Sequence, residues 1–254
     1  MSESALTNPA GGLRYHLRAL RYSRKLWQPF RWAVGEWLLG WQPPEATLVL
    51  VGPSAGYNLQ PFLFERFERV IALEPDPVAR YLFKRRLAKA PLEKRPSLEM
   101  IEDDHLLQHP ERLAALVRER DACVLFSNVI GQISVLLGSD HAEQEPFAKV
   151  RSTIAELCVG RSFASFHDRF SGSLRPSLEG MLGADVRVSD GELLEALFGV
   201  AGSDSETQKP SELIDHLSAG FFPEDLPHAY FVWELEPGAY HIIEGVQQVR
   251  PARE

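Results

Sequence analysis

The strongest constraint on this chain is an alternation of short apolar runs with helical stretches, punctuated by small and acidic residues. Thr47 to Val51 (TLVLV) is β-branched and wholly apolar, as expected of a parallel strand covered on both faces. Val70 to Leu73, Leu98 to Ile101 and Ala122 to Phe126 follow at steps of roughly 22 to 29 residues, with helical patterns between them. Ser162 to Phe166 reads as a fifth strand behind a helix over Phe147 to Leu157. Spacing of this kind leaves room for a crossover helix between parallel neighbours, and so predicts an open, mostly parallel sheet with helices on both faces. A hairpin is expected at the C-terminal end, from Ala229 to Leu235 and Tyr240 to Val249 around Pro237-Gly238, a pair suited to a type II turn. The stretch from Ser171 to Pro227 is less regular.

Ahead of the first strand, Trp27, Phe30, Val34, Trp37, Leu38 and Trp41 form one apolar stripe at helical spacing. Pro29 interrupts it, so two helices or a kink are expected. Charge is uneven. The first 42 residues hold six basic and two acidic side chains, against 21 and 33 in the remaining 212. The basic set is Arg14, Arg18, Arg21, Arg24, Lys25 and Arg31, read as the solvated face of an amphipathic helix or as a cap that meets an anionic group. A net charge of -8 argues against a general nucleic-acid groove, leaving RNA binding to this N-terminal patch alone. Two cysteines, Cys123 and Cys158, make neither a disulfide framework nor a thiolate metal site. With no signal-like or spanning apolar segment, the expected location is cytoplasmic.

The strand ends carry the chemistry. Gly52-Pro53-Ser54-Ala55-Gly56 follows the first strand, where a turn of small residues lets backbone approach a ligand. A dinucleotide fingerprint from Gly52 would need glycine at 54 and 57, where Ser54 and Tyr57 stand, and no Gly-Lys-Ser/Thr closes a phosphate loop. Glu74 lies 22 residues after Gly52, at the end of the second strand, where a carboxylate can accept from a ribose diol and would repel a ribose phosphate. Asp103 and Asp104 follow the third strand and could accept from an exocyclic amine. Asn128, in the segment Ser127 to Gln132, leaves the fourth with an amide that both donates and accepts. In an open α/β sheet this edge is where ligands bind.

VLVGPSAG (Val49 to Gly56), VIALEPD (Val70 to Asp76), IEDD (Ile101 to Asp104) and DACVLFSNVIGQ (Asp121 to Gln132) resemble motifs of the class I S-adenosylmethionine-dependent methyltransferases. The similarity covers roughly residues 45 to 170. It implies a Rossmann-like seven-stranded sheet in order 3-2-1-4-5-7-6, with an N-terminal helical cap over residues 1–44 and the catalytic domain over 45–254. It also implies S-adenosylmethionine as cofactor. Gly52, Pro53, Ser54 and Gly56 would border its amino-acid end, Glu74 its ribose and Asp103 or Asp104 its adenine, with Asn128 beside the methyl-transfer site. Leu50 stands where family members often carry an acid, and Ser54 replaces the middle glycine.

For a hydroxyl or protonated amine acceptor a general base is needed, and His167 and Asp168, just after the fifth strand, are the candidates. Adjacent residues on extended chain point to opposite sides, so they are not expected to work as a pair. Tyr15, His16, Arg18 and Tyr22 could line a lid, and His141 could close over a substrate. His241 and Glu244, three apart, are expected on opposite sides of the last strand, which weakens a metal site. The function expected is methyl transfer to O or N of a small or medium-sized molecule. The competing readings are an inactive Rossmann-like scaffold, which Leu50 and Ser54 would favour, and a nicotinamide oxidoreductase, which Tyr57 opposes.

Overall fold

The computed structural model describes residues 12–102, 109–134, 145–178, 181–199 and 213–251. Among the described residues nine strands form one sheet: β1 (Thr47–Val51), β2 (Arg69–Leu73), β3 (Ser97–Ile101), β4 (Cys123–Ser127), β5 (Phe163–Gly172), β6 (Met181–Ala184), β7 (Leu213–Asp215), β8 (His228–Glu236) and β9 (Ala239–Gln248). Their order is β3-β2-β1-β4-β5-β9-β8-β6, with β7 paired to the far end of β5. The first five run parallel, while β9 and β8 return antiparallel. This is the expected Rossmann-like order, extended by two short strands, β6 and β7, from the irregular stretch. Strand order reverses between β1 and β4, the point at which sheets of this kind bind ligands beyond the carboxyl ends of their strands.

The N-terminal segment forms two helices, α1 (Gly12–Tyr22) and α2 (Gln28–Gly40). Pro29 falls in the first turn of α2, where its missing N–H has no helical partner to lose. Later helices are α3 (Pro77–Lys89), α4 (Pro110–Glu119), α5 (Glu145–Cys158) and α6 (Asp190–Phe198). The crossover from β1 to β2 holds only a 3-10 turn, Pro61–Arg66, where a longer helix was expected. After the loop closes at Leu59, only nine residues remain before β2, too few for a packed α-helix.

The sheet separates two apolar layers. On one side, α2 lays Phe30 against Trp233 in a stacked pair at 5.0 Å and Trp37 against Phe231 at 5.8 Å. Indole N–H groups of Trp27 and Trp41 donate to the carbonyls of Leu235 (2.9 Å) and Gln248 (3.0 Å), pinning this helical pair to the β8–β9 hairpin. On the other side, α4 and α5 bury Leu113, Val117, Phe147, Val150 and Ile154 against β1 and β4. Both cysteines are free and buried. No helix among the described residues is long and apolar enough to cross a membrane.

The fifth strand is longer than its apolar core suggested. β9 pairs with it as far as Gly172, so His167 and Asp168 lie inside the strand. A bulge at Arg169 puts two consecutive side chains on one face, with the Arg169 guanidinium 4.5 Å over the Phe170 ring. Beyond the bulge, Ser171 returns to the face that Asp168 occupies, opposite His241 of β9.

Candidate active site

The loop after β1 is built from left-handed backbone: Gly52, Ser54 and Gly56 have φ of 64°, 49° and 69°. A Cβ on Gly52 would meet Val129 at 3.0 Å, and one on Gly56 would meet Phe83 at 2.8 Å, so the loop packs directly on its neighbours. Ser54 carries its side chain in a conformation that strains an L-residue. Ser54→Gly is therefore expected to raise stability by about 0.5–1 kcal/mol, the relief of strain less the greater flexibility of unfolded glycine, as read by urea denaturation.

Glu74 is only 6% exposed. Its Oε2 accepts from the Ser54 N–H at 2.8 Å and its Oε1 from the Asp76 N–H at 3.0 Å, so the carboxylate joins the β1 loop to the end of β2. Burial pushes its pKa up to about 7, against the pull of those two N–H groups. Asp76 caps α3 through the N–H groups of Val78 and Ala79, and its other oxygen lies 3.3 Å from His16 Nε2. His16 Nδ1 is in turn 3.3 Å from the Tyr57 hydroxyl. The residue standing where a dinucleotide loop needs glycine is thus a ring packed beneath α1.

Tyr15 reaches down from the same helix. Its ring stacks on Trp27 at 5.7 Å, and its hydroxyl accepts from Asn58 Nδ2 at 3.4 Å. Burial raises the Tyr15 pKa, followed by the influence of Tyr57, Asp168 and Glu74, which places this phenol within the field of both carboxylates. Of the N-terminal basic side chains, Arg31 shares the field of Tyr15: burial and then Arg86 lower its pKa against the pull of that phenol. Arg18 pairs with Glu236 at 3.0 Å, Arg31 donates to the Ser23 carbonyl, and Arg14, Arg21, Arg24 and Lys25 are exposed.

At the end of β4, Asn128 takes the left-handed conformation (φ 55°), which asparagine tolerates better than most residues. Its Nδ2 donates to Asp168 Oδ2 at 3.1 Å. The other oxygen of Asp168 accepts from His241 Nδ1 at 2.7 Å. Burial alone would raise the Asp168 pKa, but His241, His216 and Asn128 together hold it below the ordinary carboxylate value. His216 donates from Nδ1 to the Gly131 carbonyl (2.9 Å), which leaves Nε2 to accept from the Ser171 hydroxyl (2.8 Å). Gly131 is required where it stands: a Cβ there would sit 2.5 Å from the Asp168 carbonyl oxygen. Gly131→Ala is expected to cost about 2 kcal/mol and to lower the thermal midpoint.

His167 points the other way. It is 1% exposed, with Nδ1 2.9 Å from Ser165 Oγ and Nε2 4.0 Å from Glu244. Glu244 lies 2.8 Å from His228 and 3.4 Å from Arg187, so His167 belongs to a buried polar cluster on the opposite sheet face. Burial lowers its pKa to about 4. Pro53 and Gly56 lie in the β1 loop, joined by the Gly56 N–H donating to the Pro53 carbonyl at 2.8 Å. Asp103, Asp104 and His141 lie outside the described residues. His241, weighed in the sequence only as a poor metal ligand, is brought beside Asp168. Among the described residues no group of three or more His, Cys, Asp or Glu side chains could hold a metal.

Glu74, the β1 loop, Asn128, Asp168 and His241 thus lie along one sheet edge. Each of the four carboxylate oxygens of Glu74 and Asp168 already holds one protein donor, while among the described residues the buried side-chain oxygens of Asn58 and Asn128 have none. Two unpaired acceptors suit a ligand that brings hydrogen-bond donors, with Arg80 on the Glu74 carbonyl and Arg86 on the Gly56 carbonyl as cations already at this edge.

No family model matches the chain, and no curated protein does. Solved structures give distant likenesses. One, solved in work on converting a disulfide bond into a thioacetal group during echinomycin biosynthesis, is 13% identical with a TM-score of 0.43, covering 89% of this chain and 86% of that one. The N-methyltransferase NodS from Bradyrhizobium japonicum is 9% identical with a TM-score of 0.39, over 87% of this chain and 98% of that one. PKMT2 from Rickettsia typhi is 16% identical with a TM-score of 0.30 over 56% of this chain, which spans 25% of that protein's length. At these values the likenesses assign no activity, and function has to be argued from the site.

Proposed function

We propose that this chain binds S-adenosylmethionine and transfers its methyl group to an oxygen or nitrogen of a small or medium-sized acceptor. The observation that carries the reading is the buried Glu74 carboxylate, held by the β1 loop on an edge with unsatisfied acceptors at Asn58 and Asn128. S-adenosylmethionine fits such an edge, since it offers a ribose diol and two amino groups. The side chains suited to it are Glu74 for the diol and Asn58 and Asn128 for N–H donors, with Gly52, Pro53, Ser54 and Gly56 forming the loop beside them. Asp103 and Asp104 remain candidates for the adenine.

When bound, S-adenosylmethionine supplies a methyl group already activated by its sulfonium. The protein's part is then alignment and exclusion of water. Tyr15 and Trp27, packed over the edge from the N-terminal helices, serve the exclusion, which supports reading residues 1–44 as a cap and 45–254 as the catalytic domain. Asn128 and Asp168 mark the acceptor side.

The test is incubation with methyl-labelled S-adenosylmethionine and a cell extract separated into small-molecule, RNA and protein fractions. Label is expected in the small-molecule fraction and absent with Glu74→Gln. Label in RNA would reassign the acceptor, and binding without any transfer would favour the scaffold reading.

A further inference from the structure

We propose that His241 is the general base of this site, positioned by Asp168, and that the acceptor therefore carries a dissociable proton, as a hydroxyl or an ammonium group. The inference rests on the methyl-transfer reading and adds a residue and a substrate class to it.

The geometry fixes the imidazole's state. A carboxylate only accepts, so the 2.7 Å contact to Asp168 Oδ1 requires the proton on His241 Nδ1. In the neutral ring Nε2 then carries a free lone pair, and it has no hydrogen-bond partner among the described residues. Asp168 is fixed from its far side by the Asn128 amide and cannot swing away without breaking that bond. His216, its ring centroid 6.1 Å away, has both nitrogens engaged and is not available as a base. His167 is sealed beneath the sheet.

Access separates the two members of the dyad. The Asp168 side chain is 6% exposed and that of His241 17%, so His241 is the member an acceptor can touch. Trp233 packs 5.7 Å from the ring and supplies one wall. Along the edge, Asn128 lies between the cofactor loop and the dyad, so the acceptor belongs at the β5–β9 end. In the step, the acceptor's oxygen or nitrogen forms a bond to the methyl carbon while the carbon–sulfur bond breaks, and sulfur keeps that electron pair. His241 Nε2 takes the acceptor's proton, Asp168 stabilises the resulting imidazolium, and the proton leaves to solvent. For an ammonium acceptor the proton must go first, to free the lone pair.

The test begins with nitrogen-15 NMR of the histidine rings at pH 8 with S-adenosylhomocysteine present, His241 being assigned by its loss in His241→Gln. The expected spectrum has Nδ1 protonated and Nε2 bare, with the tautomer reversed in Asp168→Asn. A wild-type ring protonated on Nε2, or an Asp168→Asn spectrum unchanged from wild type, would overturn the proposal. Kinetics against a panel of phenols and primary amines form the second arm. His241→Gln is expected to lower kcat at least 100-fold with KM changed less than about threefold, and to abolish the rise of kcat with pH. Unchanged kcat in that folded variant would equally overturn it. Should S-adenosylhomocysteine not bind at all, the methyl-transfer reading fails while the tautomer measurement still decides the dyad.

Discussion

Glu74→Gln is expected to weaken S-adenosylhomocysteine binding by about 100-fold at pH 8, from the loss of two charge-assisted hydrogen bonds to the diol. Glutamine keeps the size of the side chain but can accept from only one of the Ser54 and Asp76 N–H groups at a time. The wild-type affinity carries its own pH signature. With the free carboxyl at about 7, most of the protein presents a protonated Glu74 at pH 6 and an ionised one at pH 8. Diol donors select the ionised form, so affinity should fall about tenfold between pH 8 and pH 6, and close to one proton should be released on binding at pH 6. Calorimetry in buffers of different ionisation heat reads that proton directly. A flat pH profile in the wild type, or equal affinity in Glu74→Gln, would remove Glu74 from the ligand.

Stability should respond to pH through two buried groups of opposite sign. Between the ordinary carboxylate value and about 7, folded Glu74 keeps a proton that the unfolded chain releases. Its contribution therefore declines as pH rises through that window, by about 3 kcal/mol in all. His167 does the reverse. The folded protein holds it neutral down to about 4, while the unfolded chain takes up a proton below the ordinary histidine value. Stability is lost as pH falls from about 6.5 to 4, again by about 3 kcal/mol. The two slopes nearly cancel in the wild type. Glu74→Gln should uncover a stability that climbs with pH over this range, and His167→Gln one that declines, each measured by urea denaturation at fixed pH steps. Parallel profiles for both variants would contradict the assignment of these shifts. Asp168 and Glu244, held below their ordinary values, weaken the fold only at more acid pH.

Much of this architecture is legible in the residues themselves, because the alternation of strand and crossover is a local pattern repeated four times, three of them with an α-helix. Pro29 and Pro237-Gly238 announce breaks whose reasons lie within a few residues. Glu74 could be placed because its distance from Gly52 is set by one crossover. What stays hidden depends on distant parts of the chain. β6 (MLGA) and β7 (LID) are too short to carry a periodicity and exist only because β8 and β5 offer edges to them. The pairing of His241 with Asp168 depends on strand register across 73 residues and on a bulge at Arg169 that no local sequence signal marks. The sequence could tell that His167 and Asp168 face apart, but not which of them meets the ligand edge. That depends on β9 lying against β5.

The most direct measurement is an isothermal titration of the intact protein at pH 8 with S-adenosylmethionine, run beside NADH. An edge with unpaired acceptors and a carboxylate at the ribose position should give one saturable site for the sulfonium ligand and no heat from NADH, whose phosphates the carboxylates repel. No heat from millimolar S-adenosylmethionine, or saturable binding of NADH in its place, would contradict the account.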